Sequence, residues 1–249
     1  MKILITGASG NLGRLTRALF TDHEVHLFSR KKIATNKNER LILSKDLTNH
    51  EWWTSFEYLE HYDIIFHFAE LVKVKISTKA KESIVISHLN FLTTATKNSN
   101  CVIYPMTAYK HDNKINYLHD DYLQIKTRVL KNLSITNNIK FPVFHPLIDY
   151  GSGLSKIIKL SKRIPFFNIF CSFQALLPVL YKSDLEKYII NVSTTPEKCA
   201  EVYSKILPIS SIFNDTSKVN IALLSKIILK LMQILNHPNL QVLLNGRKI

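Results

Sequence analysis

Three evenly spaced glycines are the first residues in this chain whose pattern implies chemistry. Gly7, Gly10 and Gly13 lie between a short apolar run at residues 2–6 and apolar positions that recur at helical spacing after Gly10. A dinucleotide-binding loop requires this strand–turn–helix context. Gly7 permits a tight turn, Gly10 lets the backbone approach a pyrophosphate, and Gly13 lets the helix pack closely on the strand. The segment therefore predicts a phosphate site at a helix N-terminus.

A tyrosine and a lysine four residues apart form a second candidate. Tyr122 and Lys126 lie in a segment with helical periodicity, and a spacing of four places both side chains on one helix face. A free tyrosine has a pKa of about 10, and a neighbouring ammonium favours the phenolate. The pair is therefore suited to proton transfer. The alternative is an exposed helix-face pair, because ten tyrosines and many lysines give about one such match by chance.

Strand and helix signals alternate along the first 150 residues. Apolar, β-type runs predict strands at 2–6, 24–29, 40–43, 63–68, 101–104 and 141–145. Helical periodicity follows Gly10 and recurs at 84–96, 121–133 and 220–235. Such alternation predicts an α/β fold with a parallel sheet.

Charge and cysteine content limit the function classes. The net charge of +14 favours an anionic partner such as a nucleotide or nucleotide sugar, or else reflects a dispersed surface bias. A nucleic-acid partner is not expected, because no basic stripe or aromatic platform accompanies the charge. The three cysteines form no paired motif, which argues against disulfides and metal sites and predicts a cytoplasmic protein. Polar residues and prolines interrupt the apolar stretch at 164–181, so no transmembrane segment is expected.

Further motifs follow in an order that resembles one family, the extended short-chain dehydrogenase/reductases, also called the NAD-dependent epimerase/dehydratase family. The loop at residues 6–13 is similar to that family's T-G-A-S-G-x-L-G form. Four further segments resemble family landmarks: Asp46-Leu47, the strand at 63–69, the Y-x-x-x-K at 122–126, and His145-Pro146 followed by residues 150–153. The resemblance covers about residues 1–190.

The resemblance implies catalytic roles for three residues. Tyr122 would be the general acid/base, Lys126 would support it and hold the nicotinamide ribose, and Thr107 would polarise the substrate oxygen. Pro105 and Met106 depart from the serine- or threonine-rich turn that the family usually has there. These departures keep open a second interpretation, a protein that retains cofactor binding after its active site has decayed.

The cofactor contacts implied by the resemblance come from several segments. The end of the second strand decides between the two nicotinamide cofactors, since an acid there would bind a ribose hydroxyl and a base would bind a 2′-phosphate. The strand ends in Ser29-Arg30 with no carboxylate, which favours NADP and leaves NAD possible. The full set is Gly7, Ser9, Gly10, Asn11, Leu12, Gly13, Ser29, Arg30, Asp46, Leu47, Phe68, Ala69, Lys126 and His145.

The implied architecture is a Rossmann-type doubly wound parallel sheet. Residues 1–150 would form the dinucleotide-binding domain, and 151–249 a short C-terminal substrate lobe interleaved with it. The implied activity is hydride transfer in an NAD(P)-dependent epimerase, dehydratase or reductase acting on a sugar nucleotide or a similar carbinol or ketone. The alternative is a cofactor-binding regulatory or assembly protein. A homodimer is possible in either case.

Overall fold

The computed structural model describes residues 1–43, 60–70, 77–107, 120–133, 137–145, 147–151, 176–192, 194 and 201–208. Eleven strands and four helices lie in these ranges. The strands are β1 Lys2–Thr6, β2 Glu24–Ser29, β3 Glu39–Leu43, β4 Tyr62–His67, β5 Ser99–Ile103, β6 Met106–Thr107, β7 Ile139–Lys140, β8 Val143–Phe144, β9 Leu176–Val179, β10 Glu201–Val202 and β11 Lys205–Pro208. The helices are α1 Asn11–Leu19, α2 Thr78–Lys97, α3 Asp120–Asn132 and α4 Lys182–Asn191.

A six-stranded parallel sheet dominates the described structure. Its strand order is β3-β2-β1-β4-β5-β7, and each neighbouring pair is parallel. Residues 3–6 of β1 and 64–67 of β4 are buried throughout, as expected for strands covered on both faces. The order reverses at β1, and ligands of open α/β sheets bind at such a reversal, beyond the carboxyl ends of the strands. The predicted Rossmann-type α/β class is confirmed.

Most predicted elements are present, with one substantial difference. The single strand predicted at 141–145 is wrong: β7 ends at Lys140 and β8 begins at Val143. Pro142 separates them, and a proline lacks the N–H that a continuing strand would need. Helix α2 begins at Thr78, six residues before the predicted start, because the Ser77 hydroxyl caps it by accepting from the Ala80 N–H at 3.3 Å. The predicted helix at 220–235 lies outside the described residues.

The chain divides into two compact units, and neither is continuous in sequence. Unit 1 comprises Met1–Thr107, His119–Val143 and Glu186–Glu201. Unit 2 comprises Ala108–Leu118, Phe144–Leu185 and Val202–Ile249. Unit 1 contains the six-stranded sheet, and unit 2 contains an antiparallel pair formed by β9 and β11. In the part of the chain that the structure describes, no helix is long and apolar enough to cross a bilayer.

Candidate active site

The glycine loop leaves β1 at the centre of the sheet and enters α1. Gly7 has a φ of +67°, in the left-handed region that glycine adopts without a steric penalty. The Gly10 N–H donates to the Gly7 carbonyl at 2.8 Å and closes a tight turn. Helix α1 begins directly afterwards, with Gly10 as its N-cap. Because glycine has no capping side chain, the backbone N–H groups in the first turn of α1 have no side-chain acceptor at the N-cap.

A methyl group added at each glycine tests how closely the loop is packed. A Cβ on Gly13 would lie 2.5 Å from the Gly7 oxygen, and one on Gly7 would lie 2.7 Å from the Ala69 nitrogen. A Cβ on Gly10 would meet only the Gly7 oxygen, at 3.2 Å, and Gly10 is exposed. Gly7 and Gly13 are therefore fixed by the protein's own packing. Gly10 instead leaves an open surface above the helix N-terminus, as an approaching pyrophosphate requires.

The segment that follows β4 lies against this loop. The Phe68 N–H donates to the Thr6 carbonyl at 3.3 Å, and the Ala69 N–H donates to the Thr6 hydroxyl at 3.1 Å. These bonds fix the carboxyl ends of β1 and β4 side by side. Phe68 and Ala69, which the resemblance implies as cofactor contacts, thus lie next to the glycine loop.

The end of β2 has the composition expected for recognition of a phosphate. Ser29 is buried, and its hydroxyl accepts from the Lys31 N–H at 3.2 Å, which folds the chain back after the strand. Arg30 is exposed at this turn. Among the described residues of the turn none is acidic, so no carboxylate there would repel a 2′-phosphate.

Lys126 is buried although it carries an ammonium group. Only 1% of the residue is exposed, and its Nζ donates to the Pro105 carbonyl at 2.7 Å. The ammonium lies 3.6 Å from the centroid of the Tyr104 ring, a cation–π contact. Burial lowers the pKa of Lys126, and the neighbouring Glu70 opposes that decrease. The predicted lysine is therefore held by protein groups on several sides.

Glu70 provides the negative charge beside Lys126. It follows β4 immediately after Ala69, and its Oε1 forms an ion pair with the Lys126 ammonium. The Glu70 side chain is 13% exposed and that of Lys126 is 2% exposed, so solvent barely screens the pair. Burial raises the pKa of Tyr104 well above its ordinary value, with Glu70 contributing, so the Tyr104 phenol stays neutral beneath the pair.

Two buried histidines connect Glu70 to the glycine loop. His88 Nε2 lies 3.8 Å from Glu70 Oε2, and His88 Nδ1 lies 2.7 Å from His67 Nε2. His67 Nδ1 lies 2.8 Å from the Thr6 hydroxyl. Burial lowers the pKa of His88 to about 4 and that of His67 well below its ordinary value, so both rings are neutral near pH 7.

The partners of these histidines assign their tautomers. The Glu70 carboxylate lies 3.8 Å from His88 Nε2, beyond hydrogen-bond distance, and its negative charge favours a proton on that nitrogen. His88 Nδ1 then accepts from the His67 Nε2–H, and His67 Nδ1 accepts from the Thr6 hydroxyl. Thr6 itself accepts from the Ala69 N–H. All donors thus point along one chain, from the loop toward Glu70.

Tyr122 and Lys126 lie on the same helix, α3, as predicted. The Lys126 ammonium is 5.8 Å from the centroid of the Tyr122 ring. Lys81 of α2 holds the start of α3 through a 2.6 Å ion pair with Asp121. Thr107 is the second residue of β6, and the preceding Met106 N–H donates to the Pro142 carbonyl at 2.7 Å.

Three further predicted contacts are His145, Asp46 and Leu47. His145 belongs to unit 2, where its N–H donates to the Val202 carbonyl at 3.2 Å and its ring packs against Tyr203. Asp46 and Leu47 lie outside the described residues. Their predicted roles stay predictions.

Sequence reasoning missed Glu70, Tyr104, His88 and the functions of His67 and Pro105. The signal for Glu70 was an acid three residues after a strand with a mostly apolar sequence, where a charge is costly unless it is paired. Pro105, which seemed only a departure in the turn, has a defined task because its carbonyl accepts from Lys126.

A family model and several solved structures are similar to this chain. Residues 3–108 match the model of the NAD dependent epimerase/dehydratase family. The match covers the glycine loop, the β4 segment with Glu70, and the turn at Pro105. A comparison with curated protein sequences gave no match.

Several solved structures share the fold. A nucleoside-diphosphate-sugar epimerase from Staphylococcus aureus is 14% identical with a TM-score of 0.64, over 100% of this chain and 93% of that one. The UDP-N-acetylglucosamine 4-epimerase from Methanobrevibacter ruminantium, in complex with UDP-N-acetylmuramic acid, is 16% identical (TM-score 0.60; 86% and 80% covered). The Bordetella bronchiseptica enzyme WbmG, in complex with NAD and UDP, is 17% identical (TM-score 0.60; 86% and 76% covered). At these identities the likeness shows a common fold.

Proposed function

We propose that the chain is an NAD(P)-dependent epimerase, dehydratase or reductase that acts on a sugar nucleotide. One observation carries the proposal: the glycine loop and the Lys126 cluster are joined at the carboxyl edge of the sheet, where its strand order reverses. The bonds from Thr6 to Ala69 and His67 make that connection. Binding at this reversal is the general rule for open α/β sheets.

The residues present fit a nicotinamide dinucleotide. The exposed backbone at Gly10 and the uncapped start of α1 suit a pyrophosphate, and the Arg30 turn suits the adenosine end. When bound, the nicotinamide ring supplies hydride transfer. Lys126 is placed to keep a positive charge near Tyr122, and that charge favours loss of the phenolic proton. Tyr122 then exchanges a proton with the substrate carbinol or ketone, while Thr107 supports the substrate oxygen.

A sugar-nucleotide substrate is supported by charge and by the shared fold. The net charge of +14 attracts an anionic diphosphate. Two of the structures with this fold are described as sugar-nucleotide epimerases, and a third was solved with UDP. Residues 151–249 would provide the short substrate lobe.

Gly10→Val tests the cofactor site. Gly10 has extended backbone with φ −74° and ψ 173°, which valine adopts readily, so the variant should fold. Its branched side chain would fill the surface that the pyrophosphate approaches. We expect NADH and NADPH binding, followed by nicotinamide fluorescence, to be abolished while the unfolding temperature stays near that of the wild type. Unchanged affinity in the folded variant would contradict dinucleotide binding at this loop.

Arg30→Ala tests the preference for NADP. If the guanidinium binds the 2′-phosphate, NADP affinity should fall by about 1.5–3 kcal/mol, the range for a charged hydrogen bond. NAD affinity should barely change, because NAD lacks that phosphate. Lys32→Ala is a matched control that removes a nearby exposed charge. Equal losses for both cofactors in Arg30→Ala would remove Arg30 as the discriminating residue.

A second candidate function is a cofactor-binding regulatory or assembly protein with a decayed active site. The observation that favours it is the enclosure of Lys126, whose ammonium already contacts Glu70, the Pro105 carbonyl and the Tyr104 face. Turnover separates the two candidates: a panel of UDP- and dTDP-sugars is assayed at the nicotinamide absorbance band, with product sugars separated chromatographically. An enzyme converts at least one of them. A decayed site binds cofactor and converts none.

A further inference from the structure

Glu70 is a charged residue in a place where an isolated charge would be strongly unfavourable. Its side chain is 13% exposed, and its only ion-pair partners among the described groups are Lys126 and His88. A carboxylate is retained at such a position when it is paired. Among the described groups that face Lys126, Glu70 alone is anionic, while Tyr104, Tyr122, His88 and His67 are aromatic or imidazole groups.

The histidine chain explains how Glu70 is connected to the rest of the site. The chain runs from Glu70 through His88 and His67 to Thr6, and its last three members are fully buried. A proton relay would need a group at each end that gives up or takes up a proton, and one end of this chain is the Ala69 amide, which does neither near neutral pH. The arrangement is therefore suited to holding groups in place. It ties the Lys126 carboxylate partner to the residue that immediately precedes the glycine loop.

We propose that Glu70 is a positioning residue that keeps Lys126 charged and fixes its ammonium against the Pro105 carbonyl. The proposal deepens the proposed function and rests on it for the role of Lys126 in cofactor binding. Without the carboxylate, burial would favour the neutral amine at neutral pH. A neutral amine donates weaker hydrogen bonds and no longer favours the Tyr122 phenolate.

Glu70→Gln tests this directly, since it removes the charge and keeps the size. The dissociation constant for NADH, measured by fluorescence from pH 6 to 10, should rise about 10- to 100-fold at pH 7.5, the range for loss of a charged hydrogen bond. The alkaline loss of affinity should begin at lower pH than in the wild type. Glu70→Asp keeps the charge, so its NADH affinity and the pH at which that affinity is lost should lie between those of Glu70→Gln and the wild type. In a Lys126→Met background, Glu70→Gln should have no further effect on NADH affinity.

A cofactor-free measurement separates this proposal from the proposed function. Below about pH 10.5, the ordinary pKa of lysine, the unfolded chain carries the Lys126 charge. Folded Glu70→Gln gives that proton up, so its unfolded state binds more protons and its stability rises with pH. Its stability deficit relative to the wild type, from urea unfolding, should therefore narrow as the pH approaches 10.5. If the wild type binds no dinucleotide, the proposed function fails while this measurement still tests Glu70.

Glu39→Gln is the matched control. Glu39 forms a bidentate ion pair with Arg17 at 2.8 and 2.6 Å, and its side chain is 1% exposed. Its loss should lower stability without moving the alkaline limb of NADH binding. If Glu70→Gln does not fold, the Glu70→Gln/Lys126→Met double variant should regain folding, because it buries no unpaired charge. The proposal is overturned if Glu70→Gln binds NADH with the affinity and the pH profile of the wild type, or binds it more tightly. It is also overturned if Glu70→Gln does not fold and the Lys126→Met change does not restore folding.

Discussion

The glycine loop and the Lys126 cluster, the two halves of the proposed site, are built by opposite means. The loop works by the absence of side chains: Gly10 leaves backbone open, and Gly7 and Gly13 avoid contacts of 2.5–2.7 Å. The cluster works by side chains that surround one ammonium and leave 1% of Lys126 exposed. A backbone site is specified by a few adjacent residues. A side-chain site is specified by residues that come together only after the sheet has formed.

The largest effect should follow from Tyr122→Phe, which tests whether the region around Lys126 is catalytic. Loss of the phenol should reduce turnover by about 10²- to 10⁴-fold, the range for general acid–base catalysis. Cofactor affinity should stay nearly constant, because the pyrophosphate site does not need this hydroxyl. Steady-state kinetics and NADH titration measure the two separately.

Lys126→Met provides the contrast to that variant. It should reduce both turnover and cofactor affinity, because the ammonium is proposed to act on the phenol and on the cofactor. Full activity in Tyr122→Phe would mean that the tyrosine–lysine spacing is a chance match. Wild-type cofactor affinity in both variants, together with no turnover in the wild type, would favour the decayed-site alternative.

A smaller effect is expected from the buried histidines, and it depends on pH. Burial lowers the pKa of His88 to about 4, while the unfolded chain takes up that proton near pH 6.5. Stability should therefore fall as the pH drops from 7 to 4, with His88 contributing about 3 kcal/mol. His88→Asn should lack the part of the acid-induced loss of stability that is due to His88. Urea denaturation at several pH values measures that loss.

His61→Asn is the control for this measurement. His61 is exposed, with its Nε2 3.2 Å from the Asn100 Oδ1, so His61→Asn replaces a histidine without touching the buried chain. An acid dependence in His88→Asn as steep as that of the wild type would show that His88 takes up its proton in the folded state. The conclusion that His88 stays neutral in the folded protein would then be wrong.

The smallest effect separates packing from ligand binding inside the loop. Gly13→Ala places a Cβ 2.5 Å from the Gly7 oxygen and should cost about 1–3 kcal/mol, the usual penalty of overpacking, despite alanine's better helix propensity. Gly10→Ser adds a favoured N-cap residue whose Cβ would meet only the Gly7 oxygen, at 3.2 Å, and it should cost less than Gly13→Ala. Thermal unfolding compares them. Equal stability of the two variants would contradict the distinct roles assigned to these glycines.

The sequence was informative wherever local pattern determines structure. Apolar segments predicted five of the six strands of the sheet, and the glycine spacing predicted the tight turn at Gly7, where φ is positive. The spacing of Tyr122 and Lys126 placed both on one helix. Residues that act through long-range contacts could not be found in this way. Glu70, His88 and Tyr104 converge from three different elements, and no local pattern records that His67 touches Thr6, 61 positions away.

The discontinuity of unit 1 has a consequence for how the chain folds as it is synthesised. Lys140 is buried, and its ammonium donates at 2.6 Å to the Val192 carbonyl, which closes the end of α4. All strands of the central sheet have been translated by residue 140, yet this acceptor is translated 52 positions later. A ribosome-bound chain that stops near residue 150 would thus lack one contact that holds the last strand of the sheet. Ribosome-arrested chains that expose residues 1–150 and 1–205 should differ in protease resistance, with the longer chain protected.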